Sequence, residues 1–450
     1  MVVACIRSLK RRRSFGRVCP RMERSSSGKS KPLKGEIRVP GDKSITHRAI
    51  ILGSIAHGET SITGFLAAED CLRTIVAFQG LGVEITRDKE SLSILGGGFH
   101  SLKESEDVID LGNSGTGIRL LAGVLAGQEF FSILTGDHSL RQRPMRRVVE
   151  PLRQMGAFIQ GRQGGNLAPL AILGRSLNGI QYDLPIPSAQ VKSALLLAGL
   201  NASGKTTIHE LAKSRDHTER LLRYFGVEVE EQGLAVSVKG PVALQGREVQ
   251  VPGDISSAAF LMVAASVVKG SQVTLLEVGM NPTRTGILEI LLEMGADIKV
   301  ENPRELCGEP VADITVQSGS LKGVMIKGEK TLRALDEFPI LCVAGALGSG
   351  ETVIMDAKEL RVKESDRIAV MVQELTRMGV QIEEFPDGVR IVGKGRLQGA
   401  VCDSHGDHRV ALALSVAGLV AKGETVVRNT ECIETSFPGF YSFLESLKAD

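Results

Sequence analysis

The chain of 450 residues contains no tryptophan and only three tyrosines. Stacking of bases on aromatic side chains, the common way to hold single-stranded nucleic acid, therefore has almost nothing to work with. An excess of one charge is lacking too. Fifty-four Lys and Arg stand against 52 Asp and Glu, a formal net charge of +2, so no global field draws the chain to nucleic acid or to an anionic membrane. No apolar run reaches the length of a bilayer crossing without a charge or a glycine breaking it. The seven cysteines (Cys5, Cys19, Cys71, Cys307, Cys342, Cys402 and Cys432) are scattered without metal-ligand spacing. Neither a zinc site nor a disulfide framework is expected, and the pattern fits a reducing compartment. What remains is a globular composition, 42% hydrophobic and 24% charged, long enough for two or three domains.

What is present is repetition. Six times an Ala/Leu-rich run ends in a glycine and passes into an extended Glu/Thr/Val segment, at Gly58, Gly127, Gly204, Gly270, Gly350 and Gly423. Between these marks a helix followed by a strand start recurs at Gly82, Gly156, Gly226, Gly295 and Gly379. Neighbouring marks lie roughly 65–85 residues apart, longer than most solenoid units. The pattern predicts an α/β protein. Helices over 48–57, 118–126, 192–201, 257–269, 338–348 and 409–422 are apolar on nearly every face and are expected inside, ringed by sheets. Amphipathic helices are expected from about residues 70, 144, 217, 282, 364 and 438. The near-identical phrases Val39-Pro40-Gly41-Asp42-Lys43-Ser44 and Val251-Pro252-Gly253-Asp254-Ile255-Ser256 read as two equivalent linkers between two lobes. Repeats one to three are then placed in 42–252, and repeats four to six in 32–41 plus 253–450. Residues 1–31, rich in Arg and Ser, are expected to be a basic, solvated tail. An organelle transit peptide and a nucleic-acid patch are the other readings of that composition.

Charged clusters stand just before the helices. Lys43, Ser44, His47 and Arg48 precede the first, and cations there oppose the helix dipole unless an anion binds. Asn113-Ser114-Gly115-Thr116-Gly117 precedes the second, where small residues let the backbone approach a ligand; the same residues also simply cap helices. Ser188-Ala189-Gln190 with Lys192 precedes the third. Arg141, Arg143, Arg215, Lys363, Arg367 and Arg409 stand at other helix starts. Asp336, Glu337 and Glu364 are acids in this cationic company. Burial raises a carboxylate's pKa and cations lower it, so one acid can serve as a base while another donates a proton. Each cluster alone also has a plain reading as a solvated face, a cap or a salt bridge.

In order along the chain, the phrases Pro40-Gly41-Asp42-Lys43-Ser44-Ile45-Thr46-His47-Arg48, Gly112-Asn113-Ser114-Gly115-Thr116, Arg143-Pro144-Met145, Ser188-Ala189-Gln190-Val191-Lys192-Ser193, Arg361-Val362-Lys363-Glu364-Ser365-Asp366-Arg367 and Asp407-His408-Arg409 resemble the signatures of the 5-enolpyruvylshikimate-3-phosphate synthases. The resemblance spans about residue 33 to the C-terminus. Ser214-Arg215-Asp216-His217-Thr218-Glu219 and Asn281-Pro282-Thr283-Arg284 are similar to the bacterial subclass.

The resemblance implies a two-lobed inside-out α/β barrel, six repeats in two groups of three, closing on its substrates. It implies transfer of the enolpyruvyl group from phosphoenolpyruvate to the 5-hydroxyl of shikimate 3-phosphate, in the shikimate pathway, without metal or cofactor. Lys43, Ser44, Arg48, Ser188, Ala189, Gln190, Arg215, Asp336 and Lys363 are then expected around shikimate 3-phosphate. Lys43, Asn113, Gly115, Arg143, Gln190, Arg367 and Arg409 are expected around phosphoenolpyruvate. Asp336 would be the base for the attacking hydroxyl, Glu364 the acid for the methylene, and Lys43 and Lys363 would assist. The resemblance further implies a cytoplasmic monomer, a plastid location being raised only by the N-terminal composition. It also implies that glyphosate occupies the phosphoenolpyruvate site, tolerant relatives often having Ala where Gly115 stands.

One departure is plain. Many relatives carry a Lys before the final Thr-Phe-Pro, whereas this chain reads Glu434-Thr435-Ser436-Phe437-Pro438, with Thr435 in that place. A sister transferase acting on a UDP-N-acetyl sugar is the nearest alternative. It usually has a reactive Cys five residues before the loop Arg-Pro, where this chain has His138. A non-catalytic anion-binding clamp would have lost Asp336 or Glu364. An RNA end-processing enzyme would need a nucleotide pocket or a broad basic surface.

Overall fold

The computed structural model describes residues 23–26, 30–89 and 91–449. Twelve helices carry the repeats. The buried series is α1 (Lys43–Ile55), α3 (Gly115–Ala126), α5 (Ala189–Gly199), α7 (Ile255–Val267), α9 (Phe338–Leu347) and α11 (His408–Gly418). The amphipathic series is α2 (Glu69–Gly80), α4 (Arg146–Gln154), α6 (His217–Tyr224), α8 (Gly286–Glu293), α10 (Arg367–Arg377) and α12 (Phe440–Ser446).

All six predicted buried helices form, and five begin upstream of their predicted starts. The reason is capping. Asp42 accepts from the Ile45 N–H, Ser114 from Gly117, Ser188 from Val191, Asp254 from Ser256 and Asp407 from Arg409. Such caps satisfy N–H groups that have no partner within the helix. Lys43, Ser44 and Gly115 therefore lie in first turns rather than before them. Conversely, Pro144, Pro282, Glu364 and Pro438 lie in loops ahead of α4, α8, α10 and α12. At α10 the cap is Asp366, which accepts from the Ala369 N–H, and this leaves Glu364 outside the helix.

Each buried helix leads into a strand of its own sheet. In the first sheet Glu248–Gln250 runs parallel to His57–Thr63, which pairs antiparallel with Ser91–Gly97, and Glu84–Asp88 lies outermost. The register Ile62↔Leu92 and Thr60↔Ile94 turns these four side chains into the core, as the two-residue period of a strand requires. Four further sheets repeat this four-stranded plan.

The sixth sheet differs. Its third place is taken by Glu23–Ser26, antiparallel to Thr425–Arg428. The basic tail expected over 1–31 must be corrected here, because these four residues form a strand. Pairing is helped by the Arg24 guanidinium, 4.9 Å from the Tyr441 ring centroid, a favourable cation–π distance. The sequence Glu-Arg-Ser-Ser has no apolar alternation that could announce a strand. Residues 1–22 and 27–29, the rest of that expectation apart from 30 and 31, lie outside the described residues.

Two apolar cores result. One runs from Ile45 to Val251 around α1, α3 and α5; the other joins Leu33 and Val39 to the residues from Ile255 to Leu447. In the first, a Cβ on Gly123 would sit 2.2 Å from the Ala194 carbonyl oxygen, so α3 and α5 meet backbone to backbone. The chain crosses between the lobes twice. Gly41 and Gly253 form an antiparallel bridge, with Asp42 N–H donating to Pro252 O at 2.8 Å and Asp254 N–H to Pro40 O at 2.9 Å. A Cβ on Gly41 would fall 2.0 Å from the Gly64 oxygen, so the crossing admits no side chain there. Buried Arg284 fastens both crossings, donating to Asp42 and Asp254 at 3.1 Å each and to Ser256 at 2.6 Å. Among the described residues no helix is long and apolar enough to cross a membrane.

Candidate active site

The N-termini of the buried helices bring the predicted residues together between the lobes. Lys43 opens α1 and its ammonium lies 3.2 Å from Asp70 on α2. Arg48, one turn further, is held by three hydrogen bonds. It donates to Thr218 at 2.6 Å, to the Ser44 carbonyl at 2.9 Å and to Ser193 at 2.8 Å. Its guanidinium thus braces the backbone of Ser44. Ser188 caps α5 through its hydroxyl oxygen, which leaves the hydroxyl hydrogen to donate elsewhere. Ala189 is the first residue of α5.

Gln190 accepts from Arg119 at 2.7 Å and donates to Thr116 at 2.9 Å. Arg119 also donates to the carbonyls of Gly115 at 3.2 Å and Pro144 at 3.0 Å. One buried arginine therefore joins three of the predicted motifs. Burial, with Arg147 and Arg143 nearby, pushes its pKa down to about 9. Arg143 donates to the Asn113 side chain and, at 3.3 Å, to the Asn113 carbonyl.

The second lobe supplies the acids. Asp336 bonds Arg215 of the first lobe and pairs with Arg367 at 3.3 Å and Arg409 at 3.6 Å. Glu364 pairs with Arg367 at 2.7 Å and, across the cleft, with Arg143 at 3.4 Å. Burial would raise both acids. The opposing charges win, mainly Arg409 and Arg215 for Asp336, and Arg367 and Arg143 for Glu364, and both sit well below the usual carboxylate range. Lys363 is half-buried, and desolvation lowers its pKa although Asp336 opposes this. Among the described residues its ammonium has no hydrogen bond or ion pair.

Several participants carried no role at the sequence level. Asp407 pairs with Arg367 at 2.8 Å while capping α11; it stood in the Asp407-His408-Arg409 phrase, but nothing local reveals its partner. Asp70 and Arg119 lacked any signal, while Arg284 stood in the Asn281-Pro282-Thr283-Arg284 phrase but finds Asp42 from 242 positions away. A cavity of about 250 Å³ opens beside Glu364, lined among others by Arg73, Asn113, His408 and Thr435. The substituted position Thr435 thus faces the site. Arg73 is the only guanidinium among the described residues lining this cavity, and it was not anticipated. Cys432 also lines it, with its thiol pushed up to about 12, chiefly by burial. That makes it a poor nucleophile.

Two inside-out α/β lobes that turn helix N-termini, arginines, lysines and two carboxylates onto one cleft define the enolpyruvyl transferase class. A family model described as EPSP synthase (3-phosphoshikimate 1-carboxyvinyltransferase) matches residues 28–444. The chain is 56% identical over 422 residues to the 3-phosphoshikimate 1-carboxyvinyltransferase of Geobacter sulfurreducens, covering 94% of this chain and 98% of that one. It is also 56% identical over 425 residues to the enzyme of the same name from Pelotomaculum thermopropionicum, covering 94% and 98%. A solved EPSP synthase of Acinetobacter baumannii aligns with a TM-score of 0.86 at 47% identity, covering 95% of this chain and 98% of that chain. The chain belongs to the EPSP synthase family.

Proposed function

We propose that the chain transfers the enolpyruvyl group of phosphoenolpyruvate to the 5-hydroxyl of shikimate 3-phosphate and releases phosphate, with Asp336 as base and Glu364 as acid. The observation that carries the reading is the pairing of these two acids with Arg215 and Arg143 across the cleft and with Arg367 and Arg409 of their own lobe. Both substrates are multiply anionic and must lie side by side, so cations from both lobes have to cancel their repulsion.

The same pairing explains how two ionised acids acquire different tasks. Substrate phosphates and carboxylates compete for the guanidinium groups. As each arginine turns to a substrate, its carboxylate loses the charge that held its pKa down, and burial pushes that pKa up. Glu364 then takes a proton and gives it to the phosphoenolpyruvate methylene, which becomes a methyl group. Asp336 accepts the hydroxyl proton as the oxygen bonds to the adjacent carbon. Return of one methyl proton and departure of phosphate regenerate the double bond in the product. Lys43 and Lys363 steady the oxyanions on either side.

Lobes 42–252 and 32–41 plus 253–450 are taken to move about the paired Gly41 and Gly253 crossings. A cytoplasmic monomer is the expected form, checked by sedimentation. The function is tested by phosphate release on mixing the protein with both substrates. Release must require both; release with either substrate alone, or none with both, contradicts the reading.

A further inference from the structure

Behind the cleft of the first lobe lies a charged cluster that the proposed chemistry does not use. Lys192 on α5 is completely buried. Its ammonium lies 2.8 Å from Glu210 and 2.7 Å from Glu219, and donates to the Ser214 carbonyl at 3.4 Å. Glu210 in turn receives the Ser214 N–H at 3.1 Å and the Ser214 hydroxyl. Burial alone would lower Lys192, but Glu219 and Glu210 outweigh it and hold the ammonium charged. Buried ion clusters of this kind are weak sources of stability, because desolvation offsets attraction. Their geometric effect is a better reason for their presence.

That geometry converges on one residue. Ser214 immediately precedes Arg215. On the other side, Asp216 accepts from Arg220 at 3.0 Å and from Asn281 at 2.7 Å. Arg215 is thus presented by a loop clamped at both neighbours. Lys192 lies two residues beyond Gln190, so the cluster ties the opening turn of α5 to this loop. Glu219 follows Thr218, which receives Arg48 at 2.6 Å and shares a 2.6 Å hydrogen bond with Ser193. A change at the cluster therefore reaches the loop of Arg215 directly, through the hydrogen bonds of Ser214 with Lys192 and Glu210.

We propose that the buried Glu210–Lys192–Glu219 cluster is a positioning device that sets the guanidinium of Arg215 for the phosphate of shikimate 3-phosphate. This rests on the reading of Arg215 as a ligand of that phosphate. Glu210 accepts one hydrogen bond from Lys192 and two from Ser214, and Glu210→Gln keeps its shape while leaving a single oxygen to accept them. The loop then loses a fixed point, and the effect should appear in shikimate 3-phosphate affinity alone.

The experiment is a double-mutant cycle of Glu210→Gln and Arg215→Ala in the full chain, with folding checked by thermal melting. Lys192→Met serves as a second route to the same loss should Glu210→Gln fail to fold. Glu210→Gln is expected to raise the KM for shikimate 3-phosphate about tenfold, the size of one misplaced charge-assisted hydrogen bond. Both kcat and the KM for phosphoenolpyruvate should stay within about twofold. Adding Glu210→Gln to Arg215→Ala should produce no further change. If Arg215→Ala raises that KM and a folded Glu210→Gln does not, the positioning role is wrong while the ligand role stands. If the two effects multiply, or both Michaelis constants rise together, the cluster does not act through Arg215. If Arg215→Ala itself leaves the KM unchanged, the ligand role fails and takes the proposal with it.

Discussion

The first lobe's buried cluster and the cleft hold their cations in opposite ways. In the first lobe Arg48 is bound by Thr218, Ser193 and a carbonyl, and Lys192 by two glutamates that face no substrate. In the second lobe Arg367 is bound by Asp336, Glu364 and Asp407, two of which are the proposed catalytic groups. Charge at Lys192 is tied up in holding shape. Charge at Arg367, and at Arg215 and Arg143 that reach the same two acids from the first lobe, can be exchanged, because an arriving anion competes for these guanidinium groups. The comparison separates residues that place the substrates from residues whose protonation must change.

The largest break in this comparison should come from the exchangeable side. Asp336→Ala and Glu364→Gln should each lower kcat about 100- to 10,000-fold, while the phosphoenolpyruvate Kd shifts far less. Steady-state rates beside equilibrium binding check this, and near-native turnover in a folded variant removes that residue from its role. Arg367→Met tests the pairing from the other partner. It leaves Asp407 buried without its cation, and breaking a buried pair this way typically costs about 3–5 kcal/mol. Urea denaturation should show the loss, and an unchanged midpoint would mean that Asp407 is neutral or otherwise satisfied.

Acid should also distinguish the supports. Burial and the neighbouring Lys43 and Arg48 push His47 down to about 3 from its ordinary 6.5, and His408 is likewise held well below. A depressed folded pKa means that the unfolded chain takes up the proton first. The stability from neutral His47 is therefore complete above pH 6.5 and is lost progressively as pH falls toward about 3. Each unit of pH removes about 1.4 kcal/mol per such histidine. His47→Gln should flatten the slope of stability against pH in that window by up to this amount; an unaltered slope means that His47 is already charged in the folded protein.

Gly115→Ala sharpens the picture at the phosphoenolpyruvate end. Its Cβ would lie 3.0 Å from both Arg119 and Arg143 nitrogens, tight enough to push the guanidinium groups. Overpacking of this kind costs about 1–3 kcal/mol. The inhibition constant of glyphosate, the longer ligand, should rise by a larger factor than the KM for phosphoenolpyruvate; equal factors would sink the steric account. The smallest effect belongs to the N-terminal strand. Deletion to Met22 should change nothing, whereas deletion to Pro32 removes Glu23–Ser26 from the sixth sheet and should lower Tm by a few degrees with kcat intact. Lost turnover at an intact fold would place the strand in the site.

Much of this was legible in the chain because it is local. The six apolar runs became α1, α3, α5, α7, α9 and α11, and the phrases Lys43-Ser44, Asn113-Ser114-Gly115 and Lys363-Glu364 did meet at one cleft. What stayed hidden depends on distance in sequence. Arg284 finds Asp42 from 242 positions away, and no pattern within one helix announces it. Lys192 read as one more cation at a helix start, yet it points into the core, because its carboxylates come from the next loop and helix. The strand at Glu23–Ser26 is chosen by an available edge rather than by its own residues. Arg48 was expected at the ligand, and the Thr218 and Ser193 hydroxyls that also hold it lie 170 and 145 positions away.

The central claim is that Glu364, freed from Arg143 and Arg367, protonates the methylene carbon of phosphoenolpyruvate. Mass spectrometry of the product formed in heavy water tests it most directly. If a methyl group forms and then returns one hydrogen, the product methylene must carry deuterium, and Glu364→Gln must slow incorporation in step with turnover. A product free of deuterium, or labelling at the native rate in Glu364→Gln, would contradict the account.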